Sequence, residues 1–441
     1  MSPEAAHTLN LVLDIGIVLV KVLFFVLFPL TLVPLLVWLE RKVSALIQDR
    51  PGPNRAAIGF VRLGGLIHLI GDTFKMLSKE QIIPRNVHLF QYLAAPVVIA
   101  AVALVILPIV PFADVIHLPG RQISMQVLNL DAGLLWYFAM TSLMVYGVVL
   151  AGWSSNNKYA LLGGVRSSAQ LISYELPLGL SAIGLIMTFG TVHLNEMVRA
   201  QGDLLFGFLP KWGIFLQPLA AIVFIVCAFA ETNRAPFDLA EGESELVAGF
   251  HTEYGGMLFG TFFMAEYVAM VVASAMIATL FFGGWQIPYL PTERLIALAP
   301  ILSQVSLVGA AVFLLAAGFY CFNFYTRHHG RFGDVRDQEA LIYAVLLILA
   351  AGGAVATLAT LLVLGFPQSW GGPLFAALAQ MGAFIGKILF LCIVFIWVRW
   401  TLPRFRYDQL MFLGWKSLLP LALANIFLTG IVIFLSGGLN L

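Results

Sequence analysis

The chain has 441 residues, of which 60% are hydrophobic and 11% are charged, and its mean hydropathy is +0.93. This composition excludes an ordinary soluble domain, and the net charge of +1 gives no reason to expect a nucleic-acid partner. Cys227, Cys321 and Cys392 lie in separate apolar runs, so no iron–sulfur or structural zinc centre is predicted. The N-terminus lacks a basic region followed by a cleavage site, so the first span is expected to be its own anchor.

Apolar runs recur along the chain, and each is long enough to cross the hydrocarbon core of a bilayer. Because a backbone in lipid must satisfy its own hydrogen bonds, these runs are predicted to be helices. The predicted fold class is therefore all-α, a polytopic transmembrane bundle that forms one membrane domain over residues 1–441. Ten spans are predicted, at residues 11–38, 89–110, 131–152, 169–190, 213–230, 257–282, 298–325, 341–366, 374–400 and 415–436.

The distribution of basic residues predicts the orientation of these spans. Most of the 24 lysine and arginine residues fall on the side that carries the 39–88 loop. The exceptions in loops are Arg121, Arg199, Lys211 and Arg294. The positive-inside rule places the basic side in the cytoplasm, and the even number of spans places both termini outside.

Two features of the 39–88 loop bear on function. Residues 56–83 carry apolar positions at helical spacing, which predicts an amphipathic helix lying in the membrane interface. Those positions are Phe60, Leu63, Ile67, Ile70 and Phe74. At the start of the loop, Glu40 is followed by Arg41 and Lys42, which taken alone indicates a membrane anchor with a counter-ion.

A second loop, residues 231–256, is called the acidic loop because it concentrates carboxylates between two apolar runs. They are Glu231, Asp238, Glu241, Glu243, Glu245 and Glu253. Asp238 is predicted to cap a helix with Glu241 as its capping-box partner, which would place Asp238, Glu241 and Glu245 on one face. Such a cluster can exchange protons or respond to a nearby charge; the alternative is a solvated loop with a capped helix.

The ionisable residues that fall inside or at the ends of predicted spans include Glu175, Glu231, Glu266 and Lys387. A charge at such a depth costs about 3 kcal/mol or more, so these groups should face the bundle interior. Glu175 and Glu266 together favour a proton relay over glutamates that are merely protonated and hydrogen-bonded between helices. Lys387 is expected to have a buried carboxylate partner.

Four blocks of sequence resemble a known family closely. They are WLERKVSALIQDRPGPNRA at 38–56, AGWSSNNKYALLGGVRSSAQLISYE at 151–175, AETNRAPFDLAEGESELVAGFHTEYGGMLFGTFFMAEY at 230–267 and GKILFLCIVFIWVRWTLPRFRYDQLMFLGWK at 386–416. With these blocks the chain resembles the H-type membrane subunit of the bacterial proton-pumping NADH–quinone oxidoreductase, respiratory complex I. The mitochondrial counterpart of this family is NADH dehydrogenase subunit 1.

The resemblance implies a subunit that forms part of the quinone chamber and couples quinone reduction to proton translocation. Quinone, as ubiquinone or menaquinone, would be the substrate, whereas NADH, flavin and the iron–sulfur clusters would belong to partner subunits. The implied partners are the hydrophilic-arm subunits that hold the quinone site and the terminal cluster, the other membrane-arm subunits and lipid. The implied location is a bacterial cytoplasmic membrane, with both termini periplasmic, rather than the mitochondrial inner membrane.

The resemblance also assigns roles to residues, with no catalytic residue and no metal ligand among them. The chamber and coupling loop would contain Glu40, Arg41, Arg50, Arg234, Asp238, Glu241, Glu243 and Glu245. The proton path would contain Asp72, Glu175, Glu231, Glu253, Glu266 and Lys387.

The chain departs from the family in one respect. Members usually have eight spans and shorter chains, and the excess here falls between residues 285 and 375. Within it, residues 298–366 are predicted to form an inserted peripheral hairpin of two helices. Three other interpretations stay open at this stage. They are the equivalent subunit of a membrane-bound hydrogenase-type complex with a nickel–iron partner, a stand-alone proton-coupled transporter, and a purely structural anchor for a hydrophilic arm.

Overall fold

The computed structural model describes residues 3–59, 61–240, 242–328, 330 and 336–435. The all-α prediction is confirmed, since helices make up most of the described chain. The helices are α1 (Pro3–Ile47), α2 (Ile67–Ser78), α3 (Leu89–Ile106), α4 (Gly133–Ser154), α5 (Lys158–Phe189), α6 (Leu194–Ala200), α7 (Gly213–Leu216), α8 (Pro218–Glu231), α9 (Glu243–Leu246), α10 (Gly256–Phe281), α11 (Thr292–His328), α12 (Arg336–Leu364), α13 (Gln368–Thr401), α14 (Tyr407–Phe412) and α15 (Leu419–Leu435).

Short elements complete the described chain. Three 3-10 turns occur at Leu63–Gly65, Leu107–Ile109 and Gly249–His251, and a π-helical turn at Leu413–Leu418 joins α14 to α15. Two antiparallel hairpins pair β1 (Ile116–Leu118) with β2 (Arg121–Ile123) and β3 (Leu204–Leu205) with β4 (Leu209–Pro210). The register of the first pairs Ile116 with Ile123, and that of the second pairs Leu204 with Pro210.

Nine helices of the described chain are long and apolar enough to cross a membrane, so this is a multi-pass membrane protein. The predicted fifth span, residues 213–230, is the exception. The chain leaves helical geometry at Gln217 (φ −134°, ψ 61°) and divides there into α7 and the 14-residue α8. At about 1.5 Å per residue, α8 is about 21 Å long, which is less than the hydrocarbon thickness.

The helix α10 lies at the centre of the bundle. In the most apolar 18-residue stretch of α10, 78% of the residues are buried. In the equivalent stretches of α11 and α12, 11% of the residues are buried. Small residues allow neighbouring helices to approach closely, as a helix–helix interface in lipid requires. A Cβ added to Gly152 of α4 would lie 2.7 Å from the Ala160 carbonyl oxygen of α5. The core is therefore built around α10, and α11 and α12 lie at its edge.

Local sequence explains where the long helix α5 begins and ends. The Asn157 side chain accepts a hydrogen bond from the backbone N–H of Tyr159, which satisfies one of the free donors of the first turn. At the other end, Gly190 adopts a left-handed conformation (φ 68°) and its N–H closes on the Ile186 carbonyl. These two caps fix the ends of the helix that carries Glu175.

Two ends of the bundle are distinguished below by the acids that lie there. At the Asp114 end, Arg199 donates to Asp114 at 2.6 Å, and the Thr292 hydroxyl donates to the same carboxylate at 3.0 Å. At the Glu40 end lie the acidic loop and α2. The predicted interfacial helix over residues 56–83 is shorter than expected and spans Ile67–Ser78, and its predicted apolar residue Phe60 lies outside the described residues.

Candidate functional site

A small cavity lies inside the bundle between α4, α5, α8, α10 and the acidic loop. Its volume is about 50 Å³, which gives room for a few water molecules. Its polar lining consists of Thr141, Glu175, Glu231, Thr232, Asn233, His251 and Glu266. Much of its apolar wall consists of Phe250, Phe259, Phe262 and Phe263. We call it the carboxylate cavity, because three of the predicted proton-path residues meet there from three different helices.

The hydrogen-bond partners of two cavity acids are neutral hydroxyl groups. The Tyr137 hydroxyl of α4 donates to Glu231 Oε2 at 3.3 Å, and the Ser142 hydroxyl of α4 donates to Glu175 Oε1. A hydroxyl can either donate or accept, so it can hold a carboxylate or a carboxylic acid by turning its O–H bond. Glu175 and Glu231 can therefore keep these contacts in both protonation states.

Next to the cavity, a buried acid is held by cations instead. Glu40 is 6% exposed, and its two oxygens accept from Arg399 at 2.8 Å, from the Tyr267 hydroxyl at 2.7 Å and from Arg234 at 3.1 Å. The guanidinium of Arg234 also lies over the Tyr267 ring at 3.8 Å. We call these four residues the Glu40 cluster. It ties α1, α10, α13 and the acidic loop together at one point.

Electrostatics keeps Arg234 of the Glu40 cluster charged. Burial alone would lower the pKa of the Arg234 guanidinium, but Tyr267 and the carboxylates of Glu40 and Glu266 more than offset this effect. The pKa of Arg234 is consequently raised above its ordinary range. Because Glu266 lines the carboxylate cavity and also acts on Arg234, it connects the cavity with the Glu40 cluster.

The acidic loop differs from its predicted form. Asp238 caps no helix: the helix that follows is the single turn α9, whose N-cap is Gly242 with a left-handed backbone and no side-chain cap. The prediction of Asp238 as the N-cap is therefore wrong, and Asp238 does not share a helix face with Glu245. Glu241 and the side chain of Glu243 lie outside the described part of the chain.

Arginines from distant elements hold two acids of the acidic loop, Asp238 and Glu245. Arg404, in the turn after α13, donates to the buried Asp238 at 2.6 Å. Arg166 of α5 donates to the more exposed Glu245 at 2.6 Å. The sequence prediction missed both arginines as partners, because it counted them only as positive-inside charges. Contacts across such sequence separations leave no periodic signal.

Three other predicted residues lie outside the carboxylate cavity. Arg41 forms a solvent-exposed pair with Asp72 of α2 at 2.5 Å, and Arg50 donates to Gln48 at 2.7 Å. Arg41 and Asp72 thus link the end of α1 to α2 close to Glu40.

Glu253 has a structural contact at the entry to α10. Its Oε1 accepts from the Asn157 amide at 2.6 Å, and its carbonyl accepts from the Tyr92 hydroxyl at 2.9 Å. Tyr92 and Tyr254 stack with ring centroids 4.1 Å apart, and burial raises the pKa of Tyr254 to about 12. This packed corner fixes the last residues of the acidic loop. Glu253 itself does not line the cavity, but Tyr254 packs edge-to-face on Phe262 of the cavity wall.

Lys387 has partners of a different kind from those expected. Its ammonium donates to the carbonyls of Phe282, Gly284 and Gln286, at 2.8, 2.7 and 2.7 Å. These carbonyls follow the C-terminus of α10, where a helix dipole favours a cation. The expectation of a carboxylate partner was therefore wrong, because backbone acceptors at a helix end satisfy a buried ammonium equally well.

The sequence prediction also missed Tyr137, Ser142, Tyr267 and Arg399, which complete the two groups of contacts. Tyr267 follows Glu266 directly in an apolar span, and a hydroxyl beside a buried acid was a usable signal. Among the described residues, no group of three or more His, Cys, Asp or Glu side chains could hold a metal ion.

Similarity to known proteins identifies the family. The sequence model of the NADH dehydrogenase family matches residues 20–430 of this chain. The chain belongs to this family. It is 42% identical over 419 residues to an H-type NADH-quinone oxidoreductase subunit of Solibacter usitatus, and the match covers 95% of this chain and 96% of that protein. It is 40% identical to the H-type subunit of Bdellovibrio bacteriovorus, with 92% of each chain covered. It is 39% identical to NADH-quinone oxidoreductase subunit 8 of Rhodothermus marinus, with 90% and 92% covered.

These relatives of the NADH dehydrogenase family change one expectation about length. The matched segments span more than nine-tenths of both chains, so the relatives are about as long as this chain. The residues that exceed a shorter family core are therefore shared in large part with them. The names of these relatives refer to quinone oxidoreductases, which does not favour the hydrogenase or stand-alone transporter interpretations.

Proposed function

We propose that this chain is the membrane subunit of a proton-translocating NADH–quinone oxidoreductase, that it borders the quinone chamber, and that it couples quinone reduction to proton movement. Membership of the family supports the assignment to the complex. The observation that carries the coupling role is the carboxylate cavity, where Glu175, Glu231 and Glu266 meet. In this proposal the chain has no redox centre of its own, and electrons reach the quinone from clusters in partner subunits.

The size of the carboxylate cavity favours protons and water as its occupants. Its volume of about 50 Å³ is far below the roughly 300 Å³ at which small-molecule pockets begin. Quinone therefore binds outside this cavity, in a chamber that partner subunits complete. The acidic loop, with Arg234 and Asp238, and the neighbouring Arg41 and Arg50 form this chain's share of that chamber.

The coupling step follows from the partners of each acid. Reduction of a quinone to a quinol takes up two electrons from the partner clusters and two protons. The groups that give up those protons change their charge beside the acidic loop. Glu231 and Glu175 accept or pass protons while they keep their contacts with Tyr137 and Ser142. Glu266 senses the charge of Arg234 and relays the change to the cavity. Asp72, Glu253 and Lys387 remain predicted members of the path, at positions away from the cavity.

The orientation that we propose places the Glu40 end in the cytoplasm of a bacterium and both termini in the periplasm. It counts α7 and α8 together as a tenth crossing, because Gly213 lies against the end of α10 and Arg234 lies in the Glu40 cluster. The excess of lysine and arginine in the loops at this end supports it. A hydrophilic arm, with the quinone-site and terminal-cluster subunits, docks at the same end.

The proposal is tested with membranes that contain the assembled complex. Glu231→Gln and Glu175→Gln are expected to lower NADH-driven proton translocation by about tenfold or more, because one proton-transferring group is lost. Glu196→Gln is the matched control: Glu196 also accepts from a hydroxyl, that of Thr191, but lies exposed on α6. The content of assembled complex is measured in each membrane preparation. Normal translocation in both cavity variants overturns the coupling role, and proton transport by the purified chain alone in liposomes supports a stand-alone transporter instead.

A further inference from the structure

The hairpin of α11 and α12 makes a polar contact with the loop that precedes α2. Glu339, in the first turn of α12, accepts from the backbone N–H of Arg62 at 3.0 Å and pairs with the Arg62 guanidinium at 3.3 Å. The Tyr343 hydroxyl, one turn later, donates to Glu339. The side chains of Arg62 and Glu339 are only 10% and 12% exposed. A peripheral hairpin thus places a nearly buried ion pair on the loop.

The loop around Arg62 is closely packed, so a contact with Arg62 fixes more than one side chain. The Arg62 guanidinium also donates to the Asn54 carbonyl at 3.3 Å, and the Trp38 indole donates to the Gly64 carbonyl at 3.1 Å. Gly65 has φ +98°, and a Cβ there would lie 2.1 Å from the Pro53 carbonyl oxygen. The loop consequently has little freedom to shift internally, and α2 begins two residues after Gly65.

The helix α2 lies against the start of α10, which carries part of the cavity wall. A Cβ added to Gly260 of α10 would lie 2.9 Å from the Met76 sulfur of α2. The same stretch of α10 contributes Phe259, Phe263 and Glu266 to the carboxylate cavity. A continuous series of contacts therefore leads from Glu339 through Arg62 and α2 to α10.

The hairpin is also fixed at its other end. Thr292, the first residue of α11, donates to Asp114 and accepts from the Gln380 amide of α13 at 2.9 Å. A hairpin that only anchored the chain in lipid would need no buried charge at the Glu40 end, where desolvation makes an ion pair costly. Buried polar contacts of this kind specify one arrangement of the elements that they join, which suits a supporting role.

We propose that Glu339 is a positioning residue for the quinone reaction: through Arg62, the hairpin of α11 and α12 supports α2, whose Asp72 pairs with Arg41 of the proposed quinone chamber. The identity of the substrate rests on the proposed function, whereas the support of α2 rests on the contacts alone. The hairpin therefore has a role beyond anchoring, which no feature of its apolar sequence indicates.

The test compares Glu339→Ala and Glu339→Gln with Glu293→Ala, an exposed glutamate in the first turn of the same hairpin. In membranes with the assembled complex, Glu339→Ala is expected to raise the KM for a short-chain quinone analogue by about tenfold and to change kcat by less than about twofold. Glu339→Gln keeps an acceptor for the Arg62 N–H and should lie between Glu339→Ala and the unaltered chain. Glu293→Ala should match the unaltered chain.

A second measurement reports the position of α2 without relying on activity. Met76→Cys and Gly260→Cys are introduced together, with Cys321 replaced by serine, and joined by a short bifunctional thiol reagent. The yield of this cross-link between α2 and α10 should fall at least about twofold with Glu339→Ala and stay constant with Glu293→Ala.

The outcomes separate this inference from the proposed function. An unchanged KM and an unchanged cross-link in Glu339→Ala overturn the inference. Loss of the assembled complex in both Glu339 variants also overturns it, in favour of a role in folding alone. If the unaltered complex reduces no quinone while the cross-link still depends on Glu339, the proposed function fails and the support of α2 stands.

Discussion

Replacement of Glu40 by glutamine tests whether the Glu40 cluster holds the bundle together. The change preserves the size of the side chain and removes its negative charge. Arg234 and Arg399 then share a neutral amide in place of a carboxylate, and the Arg234 side chain is only 2% exposed. The Tyr267 hydroxyl still has an oxygen acceptor, so the loss is one of charge compensation rather than of every hydrogen bond.

The burial of the ion pair sets the expected loss of stability. Removal of one partner from a buried ion pair costs about 3–5 kcal/mol, because the remaining charge stays buried. The pair between Arg41 and Asp72 provides the matched comparison. Its distance of 2.5 Å is shorter than either ion pair of Glu40, but its side chains are 45% and 40% exposed. Exposed pairs contribute about 0–1 kcal/mol, so Asp72→Asn should cost less than about 1 kcal/mol.

The assay follows the unfolding of this chain inside the assembled complex. Cys227 and Cys392 are buried, so their alkylation during a thermal ramp, read by mass spectrometry of their peptides, reports unfolding of the bundle. Glu40→Gln should lower the midpoint of alkylation clearly, and Asp72→Asn should leave it nearly unchanged. Equal shifts, or a larger shift in Asp72→Asn, refute the argument that burial rather than distance sets the strength of these pairs.

Two further substitutions test the contacts of α10 and α5. Lys387→Met leaves three carbonyls beyond α10 without their donor and should destabilise the chain by about 2–4 kcal/mol. The control Lys21→Met should cost about 0.5 kcal/mol, and both are measured by the same alkylation assay. Reduced proton translocation with unchanged stability in Lys387→Met would instead support its predicted place in the proton path. Gly163→Ala places a Cβ 2.6 Å from the Phe250 backbone nitrogen and should cost about 1–3 kcal/mol, with slower quinone reduction. Gly382→Ala, whose Cβ meets open space, is its control, and equal effects would contradict the steric argument.

Much of the fold could be predicted because long apolar runs have few alternatives in a bilayer. The exception at residues 213–230 shows the limit of that reasoning. The run contains a break at Gln217, whose side chain donates to Thr188 and Thr429 at 2.9 Å each. Such a break is set by tertiary contacts of a buried glutamine, and average hydropathy does not register it.

The candidate site could be predicted in part, for a related reason. A carboxylate in an apolar span must face the interior, so Glu175 and Glu266 were recognisable from the sequence. The group that pairs with each acid depends on how distant segments pack together. Asp238 meets Arg404, 166 residues further along the chain, and the local spacing around Asp238 indicated a helix cap instead.

The hydrogen-bond partners of Glu40, Glu175 and Glu231 divide these acids into two kinds, and the division indicates how a signal could pass between them. Glu40 is held by two arginines, whose positive charges make it a fixed part of the structure. Glu175 and Glu231 are held by hydroxyls, which accommodate either protonation state. Glu266 lines the same cavity as these two and also acts on Arg234 of the Glu40 cluster. A change of charge in the acidic loop that displaces Arg234 therefore alters the field at Glu266, and the acids that can exchange protons are its neighbours.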